Sequence, residues 1–424
     1  MARVADVQIK KATCFQCLQN CGRLVHVGPN GKIVSVEADY PGHPVQPQKP
    51  PCSKGTIVKE FHDSPRRINY PLKRVGKRGH GEWQRLTWDE AMDEIAAKLA
   101  EIRDKYGPEA LFVNGGTVHS DGDWAAMRWC NLFGTANYIY QGKNCGSARL
   151  TTAVAVWGYG GGGGPGTKCA ILSGVNPGES LMGWNGAIAM KERGAKLIVV
   201  DPRRTEIAKL ADMYIPIRPA TDAALFLGMI NVVLNEDLWD HEFVEKWVLG
   251  FDELVRVAKK YPPERAAEIC WTDKDLIIQA ARDFATLKPA SLQNGVATTH
   301  IGGYGGITAT LAQCALTVIT GNFNNIGRPI PREALAWHDE MHWDTLVNHP
   351  LRTRDNVSAD RFPVGSVKAY QLSREAMKKV NPEGYNAGIY FIGPSQSMTW
   401  KAILDEKPYP IKAVITEGGN PLCT

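Results

Sequence analysis

The chain has 424 residues, of which 44% are hydrophobic and 22% charged, and its formal net charge at pH 7 is +5. This length exceeds what one hydrophobic core usually organises, so we expect about three structural units. The small charge, with basic residues scattered except around Arg66 to Lys77, predicts no nucleic-acid partner. The sequence contains no apolar run of the roughly 18 residues that a membrane-spanning helix needs, so no direct membrane span is predicted.

The first sixty residues predict small antiparallel strands around a metal site. Apolar residues alternate with polar ones in 23–27 and again in 32–36, and a turn at 29–31 separates the two segments. Four cysteines surround these strands with the spacing C-x2-C-x3-C-x30-C; they are Cys14, Cys17, Cys21 and Cys52. Three thiols therefore lie in one short loop, and a fourth returns later.

This spacing favours a 4Fe-4S cluster, because cysteine thiolates hold such clusters and a short loop can supply three of the ligands. Zinc is the main alternative, since C-x2-C is also half of a zinc site. Structural zinc usually pairs two similar halves, however, whereas the second half here is the lone Cys52. A zinc-stapled, non-catalytic binding protein stays open as an alternative, and a disulfide pair is less favoured than either.

Four further cysteines lie in apolar surroundings and are predicted to be small buried side chains; they are Cys130, Cys169, Cys270 and Cys314. Free thiols in this number, without a signal-peptide pattern at the start of the sequence, predict a reducing compartment. We therefore expect a cytoplasmic protein.

Helices and strands alternate through the rest of the chain. Residues 87–90 form a capping box that begins an amphipathic helix, and Gly107-Pro108 ends it. A strand is predicted at 168–172, followed by a turn at 173–178, a helix that ends at Arg193, and a parallel strand at 196–200. This βαβ unit predicts the fold class: α/β, with a small, mostly β cluster domain followed by doubly wound, mostly parallel sheets.

Three polar segments follow the ends of predicted strands, where open α/β sheets bind ligands. They are 173–179, 201–205 and 218–222. Glycine and helix N-termini suit phosphate, and Asp201 or Asp222 could accept hydrogen bonds from a ribose or a base. Each segment alone has a structural explanation, such as a helix cap at Thr221 and Asp222. Three in succession favour a cofactor that carries a nucleotide.

In their order and spacing these residues resemble the molybdopterin oxidoreductases of the dimethyl sulfoxide reductase family. The resemblance covers essentially the whole chain, and its middle, at 221–232 and on through Pro262, is most similar to the acetylene hydratase branch. It rests on the four cysteines and on eight motifs: Cys52-Ser-Lys54-Gly55, Tyr70-Pro71-Leu72, Thr87-Trp88-Asp89-Glu90-Ala91, Gly174-Val-Asn176-Pro177, Val200-Asp201-Pro202-Arg203, Arg218 to Asp222, Gly321-Asn322 and Gly419-Asn420-Pro421.

The resemblance implies a role for each matching residue. Cys14, Cys17, Cys21 and Cys52 would hold the 4Fe-4S cluster, Lys54 would lie between the cluster and the nearer pterin, and Cys145 would bind molybdenum or tungsten. One molybdopterin guanine dinucleotide would contact Asn176, Asp201, Arg203 and Asp222. The second would lie against Gly419 and Asn420. His119 and His300, expected in loops, are candidates for proton transfer to the substrate.

The predicted function is a molybdenum- or tungsten-bis(pyranopterin guanine dinucleotide) oxidoreductase that performs two-electron chemistry on a small-molecule substrate. Electrons would pass through the cluster, and an iron-sulfur electron-transfer subunit is a candidate partner. Gly146 stands where formate dehydrogenases of this family have histidine, which disfavours formate oxidation. A non-redox hydratase of the acetylene hydratase type is the alternative, although Leu18 stands where that branch has an essential acid.

The expected domains follow from the same resemblance. Residues 1–62 would form the cluster domain, 63–138 with 330–424 an α/β domain, and 139–329 a Rossmann-like domain that binds one guanine dinucleotide. The family continues beyond the Gly-Asn-Pro segment into a C-terminal pterin-binding domain, which is absent from this sequence. We therefore expect a fragment or one part of a split enzyme, which would ligate the cluster but hold the metal cofactor poorly by itself.

Overall fold

The fold is taken from a computed structural model of the chain. It describes residues 7–14, 16, 21–39, 55, 57–116, 121–139, 163–180, 184–300, 304–322, 350–352, 354–361, 366, 368, 372, 375, 379 and 393–419. Within these ranges, the side chains of 121–124, 179–180, 299–300, 304 and 396 are not described.

The strands of the described residues are numbered β1 to β12 in chain order. They are Gln8–Thr13, Gly22–Val27, Ile33–Ala38, Leu72–Arg74, Trp83–Arg85, Leu111–Gly115, Tyr138–Ile139, Cys169–Ser173, Lys196–Val200, Met213–Ile215, Ala290–Asn294 and Ala413–Glu417.

The helices are numbered α1 to α14 in the same way. They are Val58–His62, Trp88–Tyr106, Asp121–Phe133, Pro177–Ser180, Trp184–Glu192, Glu206–Leu210, Asp222–Asn235, His241–Trp247, Phe251–Ala258, Pro263–Cys270, Lys274–Thr286, Val296–His300, Tyr304–Ile319 and Gln396–Asp405. Among these helices, none is both long and apolar enough to cross a membrane.

The chain divides into two compact units. The first comprises 1–38, 54–143 and 336–424, and the second comprises 39–53 and 144–335. The division into three domains that the sequence suggests stays a prediction.

The second unit is built on a parallel sheet with the strand order β10-β9-β8-β11. Successive residues of its central strands point to opposite faces, and both faces are covered. Ile171 and Ile198 pack into a core with helices α7, α9, α10, α11 and α13. Leu172 and Val199 pack into a second core with α5 and α6. Because helices cover both faces, the prediction of a doubly wound parallel sheet is confirmed.

The first unit contains a smaller parallel sheet in the order β12-β6-β7. Its central strand β6 is fully buried and also serves two cores. Phe112 packs with α14 and the segment around Tyr409. Leu111 and Val113 face a core that includes Cys130 of α3. Strand β12, near the end of the sequence, pairs in parallel with β6 over its whole length.

The N-terminal strands form a separate antiparallel sheet in the order β1-β2-β3. β1 pairs with β2 from Gln8 opposite Val27 to Thr13 opposite Gly22. The turn between β2 and β3 contains Gly31 at φ +74°, a left-handed conformation that glycine adopts without strain. This confirms the predicted small β-structure at the start of the chain.

The four cysteines in apolar surroundings are buried as predicted. Cys130, Cys169 and Cys270 are 0% exposed, and Cys314 is 4% exposed. Burial raises the pKa of Cys130, Cys169 and Cys314 to about 12 and that of Cys270 to about 11. These thiols are therefore protonated and poorly reactive near neutral pH.

Two threonines occupy N-cap positions, but only one of them caps its helix with its side chain. At α2 the hydroxyl of Thr87 accepts from the Glu90 N–H, while the Glu90 carboxylate accepts from the Thr87 N–H at 2.8 Å. This is the predicted capping box. At α7 the Thr221 side chain does not cap the helix; its hydroxyl donates to the Arg218 carbonyl at 2.7 Å.

We expect Thr87→Ala to loosen the first turn of α2, because it leaves the Glu90 N–H without its side-chain acceptor. A lost N-cap costs about 1 kcal/mol, which corresponds to roughly fivefold faster amide hydrogen exchange in that turn. Thr221→Ala is the matched control, since it removes a hydroxyl from an N-cap position without removing a cap. Equal acceleration at both helix starts would contradict this explanation.

Candidate functional site

The carboxyl ends of β8 and β11 meet at a topological switch point of the second unit's sheet. From β8 the chain proceeds to β9 and β10 on one side, and β11 adds on the other side. Open α/β sheets bind ligands in the crevice that such a reversal creates. The predicted nucleotide residues that follow β8 and β9 therefore lie on the appropriate edge of the sheet.

The backbones at this switch point approach each other closely. The Gly295 N–H donates to the Ser173 carbonyl at 2.8 Å. A Cβ added to Gly295 would lie 1.9 Å from the Gly174 carbonyl oxygen, and Gly174 itself has φ +60°. A side chain at Gly295 would push the two strand ends apart, so the geometry of the crevice depends on glycine.

A buried hydrogen-bond network centred on Asp222 lies behind these glycines. The Ser173 hydroxyl donates to Asp222 Oδ1 at 3.3 Å, and the Thr298 hydroxyl lies 3.3 Å from the same oxygen. Ser173 ends β8, Asp222 begins α7 and Thr298 lies in α12, so three elements converge here. The three residues are 0%, 8% and 3% exposed, respectively.

Two amide side chains extend the network. Gln313 of α13 donates from Nε2 to the Ser173 hydroxyl at 3.3 Å. Asn294, the last residue of β11, donates from Nδ2 to Gln313 Oε1 at 2.7 Å. Since Gln313 orients the hydroxyl that donates to Asp222, the carboxylate is held by a chain of polar contacts.

The Asp222 carboxylate is buried, and its hydrogen bonds do not fully offset the loss of solvation. Burial raises its pKa, and the nearby charge of Asp201 adds to this effect. Hydrogen bonds from its own backbone N–H, Ser173 and Thr298 act in the opposite direction but are outweighed. Keeping this carboxylate ionised therefore costs folding free energy, which a ligand that donates hydrogen bonds to it would offset.

Asp201 follows β9 on the same edge of the sheet. Its Oδ1 accepts from the Arg203 N–H at 2.8 Å, and its carbonyl accepts from the Tyr214 hydroxyl at 3.0 Å. Burial raises the pKa of Asp201, although the Arg203 N–H and charge act to lower it. The Arg203 side chain is exposed. The Asp201 side chain is thus a hydrogen-bond acceptor held in place by the Arg203 N–H, and the long cationic side chain of Arg203 lies near it in the chain.

Asn176 lies in the turn between β8 and α4 and is half-buried. A Cβ added to Gly178 would lie 3.5 Å from Asn176 Oδ1, so the turn folds back on this side chain. All four residues predicted to contact one dinucleotide, Asn176, Asp201, Arg203 and Asp222, therefore follow carboxyl ends of strands in this sheet.

The first unit has a comparable edge, where β6 and β12 end side by side. The Gly116 N–H donates to the Glu417 carbonyl at 2.6 Å, and a Cβ on Gly116 would lie 2.0 Å from the Gly418 carbonyl oxygen. Gly419 is exposed directly beyond β12. A Cβ on Gly419 would lie 3.8 Å from Asn114 Nδ2, so a glycine-lined surface with an amide donor forms this edge.

Two of the four predicted cluster ligands lie in the described residues. The Cys14 N–H donates to the Cys21 carbonyl at 2.8 Å, which places the two cysteines opposite each other at the base of one loop. They are 7% and 9% exposed and form no disulfide. No group of three or more metal-ligating side chains occurs within the described part of the chain, and the other two cluster cysteines lie outside it.

The remaining predicted site residues lie outside the described residues: Cys17, Cys52, Lys54, His119, Cys145 and Asn420. His300 was expected in a loop, but its backbone ends the short helix α12; its side chain is not described. The roles assigned to these residues stay predictions.

The sequence analysis missed three members of the polar network: Asn294, Thr298 and Gln313. The usable signal was Gly295, which follows the short segment 290–294 and precedes hydroxyl residues at 298–299. This pattern matches the end of a strand followed by a helix start. Gln313 gave no such signal, because it lies in the middle of an apolar helix.

Several known proteins are similar to this chain in sequence and in structure. The family model for molybdopterin oxidoreductase matches residues 67–348. Acetylene hydratase of Syntrophotalea acetylenica is 34% identical over 97% of this chain and 57% of its own length. Dimethyl sulfoxide reductase DmsA of Escherichia coli is 32% identical over 81% of this chain and 47% of its own.

A solved structure, acetylene hydratase from Pelobacter acetylenicus, matches with a TM-score of 0.76 and 32% identity. The match covers 97% of this chain and 57% of that protein. The chain thus spans about half the length of the curated relatives that it matches.

We expect Asp222→Asn to raise the Tm of nucleotide-free protein at pH 7. The amide keeps an oxygen that can accept from Ser173 and Thr298 but removes the buried charge. A rise of roughly 2–4 °C corresponds to about 1 kcal/mol for a unit of this size. Because burial raises the pKa of Asp222, the advantage of the variant should shrink as the pH falls through that raised pKa.

Asp212→Asn is the opposite control for this scan. Burial acts to raise the pKa of Asp212, but the Leu197 N–H and the Lys191 ammonium outweigh it and lower the pKa. The ionised Asp212 therefore stabilises the fold, and its replacement should lower the Tm at pH 7. A Tm that falls equally in both variants would contradict the assignment of Asp222 as a carboxylate under electrostatic stress.

Proposed function

Because the chain belongs to the molybdopterin oxidoreductase family, we propose that it holds a 4Fe-4S cluster and a molybdenum or tungsten bis(pyranopterin guanine dinucleotide). We propose two-electron oxidation or reduction of a small molecule as its activity. The observation that carries this proposal is the buried, under-compensated carboxylate of Asp222 at the switch point of a doubly wound sheet.

Guanine matches what Asp222 lacks. The Ser173 and Thr298 hydroxyls both lie against Oδ1, and a carboxylate has further acceptor sites, including those of Oδ2, for the donors of a base. Guanine differs from adenine and cytosine in that one of its edges carries two adjacent donors, N1–H and the N2 amino group, which suit the oxygens of a carboxylate. A donor placed against the buried carboxylate offsets the free-energy cost of keeping it ionised. A base without such donors would leave the carboxylate unpaired, so the site would select against that base.

The neighbouring residues suit the rest of the nucleotide. Asp201 could accept hydrogen bonds from ribose hydroxyls, as acidic residues do in related sheets. The Gly174 backbone allows close approach of a phosphate, and the Arg203 side chain, which is exposed, can pair with its charge. The glycine-lined edge at Gly419, with Asn420 beyond it, is proposed for the second dinucleotide.

The chemistry itself would come from the metal and its pterins, which exchange two electrons with a substrate when bound. Cys145 is proposed as the protein's thiolate ligand to that metal, since soft ligands suit it. Cys14, Cys17, Cys21 and Cys52 would hold the cluster, and Lys54 would lie close to it. His119 and His300 remain proposed proton-transfer residues.

A hydratase of the acetylene hydratase type is the second candidate function. It is favoured by the acetylene hydratases that match this chain in sequence and in structure. Against it stands Leu18, at the position where the acid of that branch is expected. A redox enzyme would work with an electron-transfer partner, such as an iron-sulfur subunit, and we propose the cytoplasm as its location.

Metal analysis of protein purified without oxygen, together with any sequence that follows Thr424 in the natural protein, tests the cofactor proposal. We expect about four irons per chain together with molybdenum or tungsten. Cys145→Ser should lose most of the molybdenum or tungsten while it keeps the iron, because the two sites use different thiolates. Cys169→Ser, which alters a buried thiol of the core, is the control. Zinc in place of iron and of molybdenum or tungsten would favour the zinc-stapled binding protein instead.

Dye-linked assays separate the two enzyme hypotheses. An oxidoreductase should pass electrons from reduced viologen to a small oxide or sulfur substrate, in proportion to turnover. A hydratase should convert acetylene with no net consumption of reductant after activation. Sustained acetylene hydration without electron flow would overturn the redox proposal, and viologen oxidation that depends on substrate would overturn the hydratase.

A further inference from the structure

Arg23 is a charged residue buried in the middle of the N-terminal sheet. It belongs to β2 and pairs with Ala12 of β1 on one side and Ala38 of β3 on the other. Only 5% of its surface is exposed. Arginine is rarely buried to this extent unless an anion accompanies it. The two alanine partners leave room for its long side chain on this face of the sheet.

The guanidinium of Arg23 lies directly against Gly55. A Cβ added to Gly55 would lie 1.8 Å from Nη2 and 2.5 Å from Cζ of Arg23, so only glycine permits this contact. Gly55 follows Cys52 by three residues in the Cys52-Ser-Lys54-Gly55 motif. The side chain of Arg23 thus reaches from the strand that follows Cys21 to Gly55.

Arg23 also lies on the cysteine face of the sheet. The Cys14–Cys21 backbone bond continues the β1–β2 ladder by one pair beyond Thr13 and Gly22. Side chains two residues apart on a strand point to the same face, at a spacing of about 6.6 Å. Cys21 and Arg23 therefore share a face, together with Cys14 across the ladder.

The guanidinium carries a hydrogen-bond donor that no described residue accepts from. Arg23 Nε is buried and has no hydrogen-bond partner in the described part of the chain. A buried donor without a partner on a buried cation is costly. An anion beside the cysteine loop would remove that cost, and a cluster held by four thiolates is such an anion.

We propose that Arg23 is a positioning residue for the 4Fe-4S cluster and compensates its negative charge. This inference rests on the cluster that the proposed function assigns to Cys14, Cys17, Cys21 and Cys52. Reduction adds one electron, and thus one more negative charge, to the cluster. The fixed positive charge of Arg23 stabilises the reduced form more than the oxidised form and so raises the reduction potential.

The test is an anaerobic redox titration of the full-length protein with dithionite, followed by electron paramagnetic resonance of the reduced cluster. We compare wild type with Arg23→Gln, Arg23→Lys, Gly55→Ala and Arg103→Gln. Arg103 is an exposed residue of α2, so Arg103→Gln controls for the change in total charge. Iron content is measured on every variant, independently of any enzymatic activity.

Arg23→Gln should lower the potential, with about a tenfold smaller ratio of reduced to oxidised cluster at the wild-type midpoint, or about 59 mV for one electron. Gly55→Ala should shift it in the same direction, because its methyl group displaces the guanidinium. Arg23→Lys, which keeps the charge, and Arg103→Gln should stay near wild type.

The outcomes separate this inference from the proposed function. A wild-type protein without iron would sink the cluster itself. Iron retained in Arg23→Gln with an unchanged potential would overturn the role of Arg23 alone. If Arg23→Gln loses its iron, an iron-loaded Arg23→Lys with the wild-type potential supports charge compensation. Equal iron loss in both variants would show that Arg23 acts only by packing on Gly55 and would overturn the proposal.

Discussion

The Asp222 carboxylate, buried at the end of a parallel sheet, is the constraint on which the rest of the second unit depends. Both faces of this sheet are apolar and covered by helices, so polar groups can enter its interior only where the strands end. Ser173 and Thr298 come from two separate elements to meet the carboxylate, and Gln313 of a third element donates to Ser173. These contacts lower the free-energy cost of keeping the buried Asp222 carboxylate ionised but do not remove it. Hydrogen bonds from a nucleotide base can offset the remaining cost.

Close approach of other groups explains why glycine occupies several positions near the predicted ligand sites. At Gly295 the strand ends approach so closely that a methyl group would overlap the Gly174 carbonyl. Gly116 meets Gly418 in a similar way in the first unit, and Gly55 meets the guanidinium of Arg23. In each place the small residue lets a backbone or a charged group come close to a predicted ligand site. Glycine lowers local stability at these positions but allows close approach to the ligand site, as is common at functional sites.

Much of the fold could be predicted from the sequence because its signals are local. The capping box at Thr87, the buried strand ended by Ser173 and the spacing of Cys14 and Cys21 all lie within short stretches of chain. Asp201 and Asp222 were identifiable because each follows a strand or begins a helix. The conformation of Thr221 was less predictable, since its hydroxyl donates a hydrogen bond to the Arg218 carbonyl and does not cap the helix.

The network around Asp222 was not predictable in the same way. Thr298 and Gln313 lie more than seventy residues beyond Asp222. The contacts of Thr298 with Asp222 and of Gln313 with Ser173 depend on β11 adding beside β8 rather than beside β10. Strand order is a global property that local patterns do not encode. Arg23 is similar: an arginine in an alternating strand reads as a solvent-facing residue, and only its pairing with two alanines and the approach of Gly55 reveal that it is buried.

The measurement that tests the central claim most directly is the identity of the nucleotide released by acid hydrolysis of the metal-loaded protein. The account predicts GMP, at two molecules per molybdenum or tungsten atom, because guanine presents two adjacent donors, N1–H and the N2 amino group, to a buried carboxylate, whereas adenine and cytosine present one amino group each. Release of CMP or AMP instead, or of no nucleotide from protein that contains the metal, would contradict it.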